Sequence, residues 1–335
     1  MIVPAFNEEE TVADTILSVQ SQTLPPAEIL VVDDCSTDRT AEVARSCGVR
    51  VVRPPSNTGS KAGAQTFALP LITTEFSMAV DADTTLAPDA IEKLVSVLAD
   101  PRVAAASGFV VPRHVRTLWE RGRYVEYLLA FTWYKPIQDY YDKPLISSGC
   151  FSAYRTASLA ATGGWSARTL AEDMDLTWEF YLRGFRVRFA PEAVCYPVEP
   201  FNYHFMSQQL RRWSHGFVQN VKIHWRDVTT VPYLGAFIAV ALWDAVAASL
   251  FYLLVLPLIV ILTRNPVYLV AYVIDIPVVI IPVAFTAYKR RELPRALLSI
   301  PCFFVLRTVN AIFILRALFA ELVLRRSFRT YQKGH

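Results

Sequence analysis

Cysteine and charge are both scarce in this chain of 335 residues. Only five cysteines occur (Cys35, Cys47, Cys150, Cys195 and Cys302), far apart, odd in number and without a C-x-x-C pair. That spacing argues against a disulfide scaffold and against a zinc site, and it fits a reducing compartment. Charged residues make up 19% of the chain, hydrophobic ones 53%, and mean hydropathy is +0.30. The balance excludes disorder and points to a membrane component. No basic patch with interleaved aromatics marks the body as a nucleic-acid binder. The first residues, Met1 to Phe6, lack a charged n-region and a long apolar run, so no signal peptide is expected.

What charge there is falls unevenly. The first 230 residues carry 22 basic and 26 acidic side chains, whereas the rest carry 11 basic and only four acidic ones. The chain therefore divides into a mildly acidic body, 1–230, and a greasy, basic portion, 231–335. Three apolar stretches, Tyr233–Leu262, Val267–Tyr288 and Ala296–Leu324, each exceed the ~20 residues a membrane-spanning helix needs. Asp244, Asp275, Arg307 and Arg316 interrupt them, and acid–arginine pairing inside the bundle is expected. By the positive-inside rule, Lys289-Arg290-Arg291 with Arg295, and Arg325-Arg326 with Arg329, both belong on the cytoplasmic side, with the body. Three full crossings would separate these clusters. One stretch is therefore interfacial or re-entrant, and the sequence does not say which.

Within the body, strands and helices alternate. Ile2–Phe6, Ile29–Val32, Val49–Val52 and Phe76–Val80 read as buried parallel strands. Helical patterns follow at Thr11–Gln20, Arg39–Cys47 and Ala62–Ala68, the second capped by Ser36-Thr37-Asp38. Such alternation predicts an α/β fold with a doubly wound, Rossmann-like sheet and ligands at the carboxyl ends of its strands. Asp33-Asp34 and Asp81-Ala82-Asp83 stand at two such ends. Residues 113–142 interleave aromatic and basic side chains, which suits either a helix at a membrane interface or an aromatic-rich packing helix.

Two carboxylates flanking one residue can grip a hard divalent cation. Alone, D-x-D is a weak signal; Asp173-Met174-Asp175 has the same spacing in a different setting. Its company strengthens it. In order come Pro4-Ala5-Phe6-Asn7-Glu8-Glu9, Val32-Asp33-Asp34, Asn57-Thr58-Gly59-Ser60-Lys61-Ala62, Asp81-Ala82-Asp83, Ser148-Gly149-Cys150, Gly163-Gly164-Trp165, Ala171-Glu172-Asp173 and Gln209-Leu210-Arg211-Arg212-Trp213. This ordered set resembles the family 2 glycosyltransferases of GT-A fold over about residues 2–226. The Q-x-x-R-W element is similar to that of the processive branch, the poly-N-acetylglucosamine, chitin, hyaluronan and cellulose synthases.

The resemblance implies roles for these residues. Pro4, Asn7 and Glu8 would shape the loop that meets the nucleotide, and Asp34, helped by Asp33, would accept hydrogen bonds from base or ribose. Lys61 would lie close to the nucleotide, although Ser60 is inserted before it relative to the family pattern. Asp81 would face the nucleotide and Asp83 would hold Mg2+ or Mn2+ on the diphosphate. Asp173 would be the general base of an inverting transfer, beside Glu172, with Ala171 where threonine is usual. A carboxylate there also suits the N-terminus of a helix from Met174 to Arg183. Gln209 and Arg212 share a helix face; arginine suits a diphosphate and Trp213 offers a platform for a sugar. Ser148, Gly149, Cys150 and Trp165 would line the acceptor side. His204, His215 and His224 have no metal-ligand spacing, though His215 is a candidate to reach the diphosphate or metal.

The implied activity is transfer of a sugar from UDP-N-acetylglucosamine or UDP-glucose to a hydroxyl on a glycan or lipid, by a membrane protein with a cytoplasmic catalytic domain. The alternative is a single transfer to a ceramide-like lipid, a polyprenyl phosphate, a protein or a glycan. A silent membrane scaffold is the remote third reading; it would be expected to lack Asp34, Asp83, Asp173 or Arg212, and all four are present. Any partner subunit is unspecified.

Overall fold

The computed structural model describes residues 1–274 and 276–328; Asp275 and Arg329 lie outside them. Eight strands form one mixed sheet: β1 (Ile2–Ala5), β2 (Leu30–Asp33), β3 (Arg50–Val52), β4 (Phe76–Val80), β5 (Thr84–Leu86), β6 (Val103–Val110), β7 (Phe151–Arg155) and β8 (Arg186–Pro197). Their spatial order is β3-β2-β1-β4-β7-β6-β8-β5. The first four pair in parallel, as their unbroken apolar runs dictate. Beyond β4 the sheet becomes mixed, because β7 runs antiparallel to both β4 and β6.

Helices cover both faces. On one lie α1 (Val12–Gln20), α2 (Thr40–Ser46), α4 (Ala90–Ser96) and α5 (Leu118–Leu129), whose Val12, Ile16, Ala44, Leu94 and Val125 share a core with Val3, Val31 and Val80. On the other lie α3 (Lys61–Ala68), α7 (Thr156–Thr162) and α8 (Glu172–Leu182), which place Ala64, Leu159 and Trp178 against Ile2, Leu30 and Ala79. Successive strand residues thus feed opposite layers. The expected doubly wound α/β fold is present.

Residues 113–142 form α5, a π turn at Ala130–Tyr134 and α6 (Lys135–Tyr140). Thr117 and Glu120 close a capping box at the start of α5. Arg123, Tyr124, Leu128 and Lys135 are buried, while Trp133, Tyr134, Ile137, Tyr140 and Tyr141 are exposed.

After α9 (Tyr203–His224), α10 (Leu234–Leu242) continues through π turns into α11 (Leu256–Thr263), and α12 (Ile276–Lys289) returns. α13 (Leu293–Leu318) follows and extends through a further π turn. Leu234–Thr263, Pro266–Lys289 and Leu293–Val323 are each long and apolar enough to cross a membrane. Of the expected acid–arginine pairs, Arg307 lies over the Tyr252 ring at 4.9 Å, and Asp244 and Arg316 are exposed.

The third stretch differs from the other two in where its ends lie. At its start, Glu292 accepts the Tyr124 hydroxyl at 3.0 Å. A Cβ at Gly122 of α5 would stand 2.9 Å from the Cys302 carbonyl oxygen, so only glycine lets α5 and α13 approach this closely. Farther along, Leu306 packs on Met206 and Leu210 of α9, and Asn310 donates to Glu126 at 3.1 Å. At its end, Glu321 accepts from Gln219 and faces His215 Nδ1, both at 2.9 Å. α13 therefore lies along the α/β body from end to end. Its opposite face, with Leu298, Pro301, Val305, Ile312 and Phe319, is exposed.

Candidate active site

The parallel strands end together, and their loops bring the acidic pairs to one edge of the sheet. After β1 the chain turns through Asn7 at φ 54, a left-handed conformation asparagine tolerates. The Asn7 side-chain Oδ1 accepts the Thr37 N–H at 2.9 Å, and buried Glu8 accepts the Thr11 hydroxyl at 2.6 Å. The first of these bonds, together with that from the Glu8 N–H to the Thr40 hydroxyl at 2.7 Å, ties the β1 loop to the β2 loop and the start of α2. After β2, Asp33 is fully buried and accepts the Ser36 N–H at 3.0 Å. Asp34 accepts the Thr58 N–H at 2.8 Å and its hydroxyl at 2.9 Å. A carboxylate has about four acceptor positions, so Asp34 keeps acceptor capacity for a ligand. Arg53 Nε stands 3.5 Å from Asp33.

Past β4, Asp81 pairs with Lys61, whose side chain is mostly covered. Lys61 Nζ also donates to the Gly149 carbonyl at 2.9 Å. Gly149 N–H in turn donates to Asp173 Oδ2 at 2.8 Å. One hydrogen-bonded chain therefore runs from the D-x-D turn to the first turn of α8. A Cβ at Gly149 would stand 3.0 Å from Asp173 Oδ2 and 3.1 Å from Lys61 Nζ, so a side chain there would push both ends of this link aside by a few tenths of an ångström. The Cys150 carbonyl accepts the Asp81 N–H at 3.2 Å and closes the loop on the same strand end.

Burial and the charge of Asp81 push the Asp83 carboxyl up to about 7, against the Thr84 hydroxyl and Lys61, which lower it. Glu172 is pushed up to about 7 by burial and by Asp173. Asp173 is held at both oxygens, since the Met174 N–H donates to Oδ1 at 2.9 Å. Asp81 and Asp83 bring two carboxylates together at one turn, an all-oxygen pair that suits a hard divalent cation, whose charge relieves their repulsion.

Three buried groups escaped the sequence reading. Lys135 donates to the Ser148 hydroxyl at 2.8 Å and to Ser107 at 3.1 Å, fixing the loop that carries Gly149. Burial pushes its ammonium down to about 8. Arg123, fully buried, donates to Gln209 Oε1 at 2.6 Å, pairs with Glu126, and lies 4.5 Å over the Trp213 ring. Glu199 accepts the Tyr127 hydroxyl at 2.7 Å and lies 3.6 Å from Arg123 Nε. Nothing in the sequence separated Lys135 and Arg123 from the other charges of an aromatic, basic segment, or set Glu199 apart from other acids.

Two sequence-predicted residues lie elsewhere. Trp165, expected to line the acceptor side, is 3% exposed and packs edge-on to Tyr154 in the core. His215, a candidate for the diphosphate or metal, faces Glu321 and packs against Phe328 at the α9–α13 contact. Arg212 acts electrostatically on Glu172, which places it on the active side of α9. Asp175, Glu179 and His224 also converge, with ligand atoms within 4.8 Å of one another. The Arg168 guanidinium fills that cluster, donating to Asp175 at 2.7 and 2.8 Å and to Glu179 at 2.6 Å. It is an ion-pair network.

Residues 1–163 match the sequence model of glycosyl transferase family 2. The poly-beta-1,6-N-acetyl-D-glucosamine synthase of Staphylococcus epidermidis is 27% identical over 220 residues, covering 64% of this chain and 53% of the relative. The Staphylococcus aureus (strain COL) protein of that name is 26% identical over the same shares. The chain spans about half the length of the curated relatives it matches. Among solved structures, a mannosyltransferase from Pyrobaculum calidifontis in complex with GDP-Man and Mn2+ aligns with TM-score 0.66 at 22% identity, covering 97% of this chain and 87% of that one. S. aureus TarS 1–349 in complex with UDP aligns with TM-score 0.50 at 17% identity, covering 94% and 90%. Residues 1–163, just under half of the chain, therefore resemble a family 2 glycosyltransferase domain, and the fold is GT-A.

Proposed function

We propose that the protein transfers a sugar from a UDP-sugar, UDP-N-acetylglucosamine or UDP-glucose, to an acceptor hydroxyl with inversion at the anomeric carbon. The hydrogen-bonded chain Asp81–Lys61–Gly149–Asp173 carries this reading, because it joins the diphosphate end of the site to a carboxylate. Asp173 takes the acceptor proton as the acceptor oxygen bonds to C1 and the bond from C1 to the diphosphate oxygen breaks. Attack from the face opposite the leaving group converts an α-linked donor into a β-linkage. Asp34 and the Asn7 loop bind the nucleoside, Arg212 lies toward the diphosphate, and Gln209 and Trp213, fixed by Arg123, face the acceptor. Asp83 with Asp81 would hold Mg2+ or Mn2+, which neutralises leaving-group charge as a Lewis acid. The names of the staphylococcal relatives support N-acetylglucosamine as the sugar and a glycan as the acceptor.

The assay is UDP release by purified protein with Mn2+ and a panel of UDP-sugars, followed by product sizing. Release with one donor is expected. A ladder means polymer synthesis and one band a single transfer; no release from any donor, with membrane lipid present, sinks the reading.

The protein also sits in a membrane, in this reading, as one helical hairpin with α13 at the interface. The hairpin runs from Leu234, packed in the body's core, to a turn at Arg264-Asn265, and back to Lys289. With α13 docked along the body, both basic clusters fall on one side, which removes the conflict with the positive-inside rule. A cysteine placed at Asn265 should react with an impermeant maleimide from the face opposite the catalytic body. Labelling only from the catalytic side overturns the topology.

A further inference from the structure

The exposed face of α13 carries one charge in its second half. Arg316 projects from an otherwise apolar row that includes Val305, Ile312 and Phe319. Beside it, Arg211 projects from α9 on the side opposite Gln209 and Trp213, since two residues on a helix differ by about 200°. The two guanidinium groups enter one groove between α9 and α13, lined also by Tyr203, Ser207, Gln208 and Phe313. Among the described residues neither arginine has a carboxylate partner. The nearby acid, Glu321, is buried and turned to His215 and Gln219. Arg211 is held in place by the Phe328 ring, 5.0 Å from its guanidinium carbon. Like charges converge here with no carboxylate among the described residues to pair them.

We propose that this groove binds the phosphate of an anionic lipid headgroup, with Arg211 and Arg316 as its two cationic walls. The inference rests on the membrane placement of α13 proposed above. At that depth an arginine on a lipid-facing surface needs a counter-charge, and the headgroup layer supplies phosphate. Guanidinium forks match phosphate oxygens in geometry as well as charge, and the Tyr203 hydroxyl adds a donor. The groove lies on the side of α9 away from Asp173, so the bound lipid is a docking partner rather than the acceptor.

Native mass spectrometry of the full chain in detergent, with phosphatidylglycerol, phosphatidylcholine or inorganic phosphate, tests this. The native protein should retain a saturable phosphatidylglycerol adduct. Binding should weaken at least about tenfold in the double variant Arg211→Gln/Arg316→Gln and be unchanged in Arg45→Gln, an exposed arginine of α2. Equal adducts in native and double-variant protein, or none in either, overturn the proposal. Saturation by inorganic phosphate with no preference for lipid overturns the lipid assignment. The readout involves no turnover, so a protein that binds the lipid but releases no UDP faults the enzymatic reading alone.

Discussion

Replacing Asp173 by asparagine should lower turnover by about 10²–10⁴-fold while UDP-sugar binding stays near native, because the substitution removes proton acceptance and little else. The amide keeps the shape of the side chain. Its cost to the fold is bounded: two backbone N–H groups, of Gly149 and Met174, donate to the two carboxylate oxygens, and an amide can accept only one of them. Leaving one donor unmet costs about 1–3 kcal/mol. Donor affinity, measured by UDP-sugar titration, separates the two effects. Glu172 is the competing candidate, since it is adjacent and its carboxyl is pushed up to about 7. If Asp173→Asn keeps turnover within tenfold of native and Glu172→Gln does not, the proton acceptor has been misassigned. The structure favours Asp173 because it is less buried than Glu172 and is fixed by the Gly149 link.

The strand ends were legible because burial on both faces leaves a parallel strand no polar residue until it emerges. Val31-Val32 and Ala79-Val80 therefore announce the strand ends at a common edge, with Asp33 the last, still buried residue of β2 and Asp34 and Asp81 in the loops that follow. Asp173 was legible from its motif and sits, as read, in the first turn of α8. Lys135 and Arg123 were not legible. Both are buried charges whose partners, Ser148 for one and Gln209 and Trp213 for the other, are distant in sequence, so no local period marks them. Trp165 failed for the converse reason: a motif aromatic looks the same whether it faces a sugar or the core. The parity of the basic clusters showed that one apolar stretch was unlike the others. In the topology proposed above that stretch is α13, on the strength of the docking of Gly122 against Cys302 and of Glu321 against His215.

The second large effect concerns the D-x-D turn and has a defined pH signature. The Asp83 carboxyl is pushed up to about 7 by burial and then by Asp81, with Glu199 adding to the rise. A divalent cation binds the carboxylate, so below about pH 7 each ion bound must displace a proton. Mn2+ affinity should therefore fall toward tenfold per pH unit between 7 and 6, and level off above 7. Stability without metal runs the other way. The folded state holds this proton more tightly than the unfolded chain, whose aspartate titrates near 4, so stability decreases as pH rises from about 4 through 7. Added Mn2+ should accordingly raise the melting temperature more at pH 8 than at pH 6. Asp83→Asn should abolish both the Mn2+ stabilisation and its pH dependence, and lower turnover by at least about 10²-fold, the scale on which one electrostatic stabiliser of a developing anion acts. Melting curves and Mn2+ titrations from pH 6 to 8 provide the check. A Mn2+ affinity flat across that range would place the ion elsewhere. The Lys61–Asp81 pair would then be the permanent counter-charge of the site, and Asp83 a buried acid that keeps its proton.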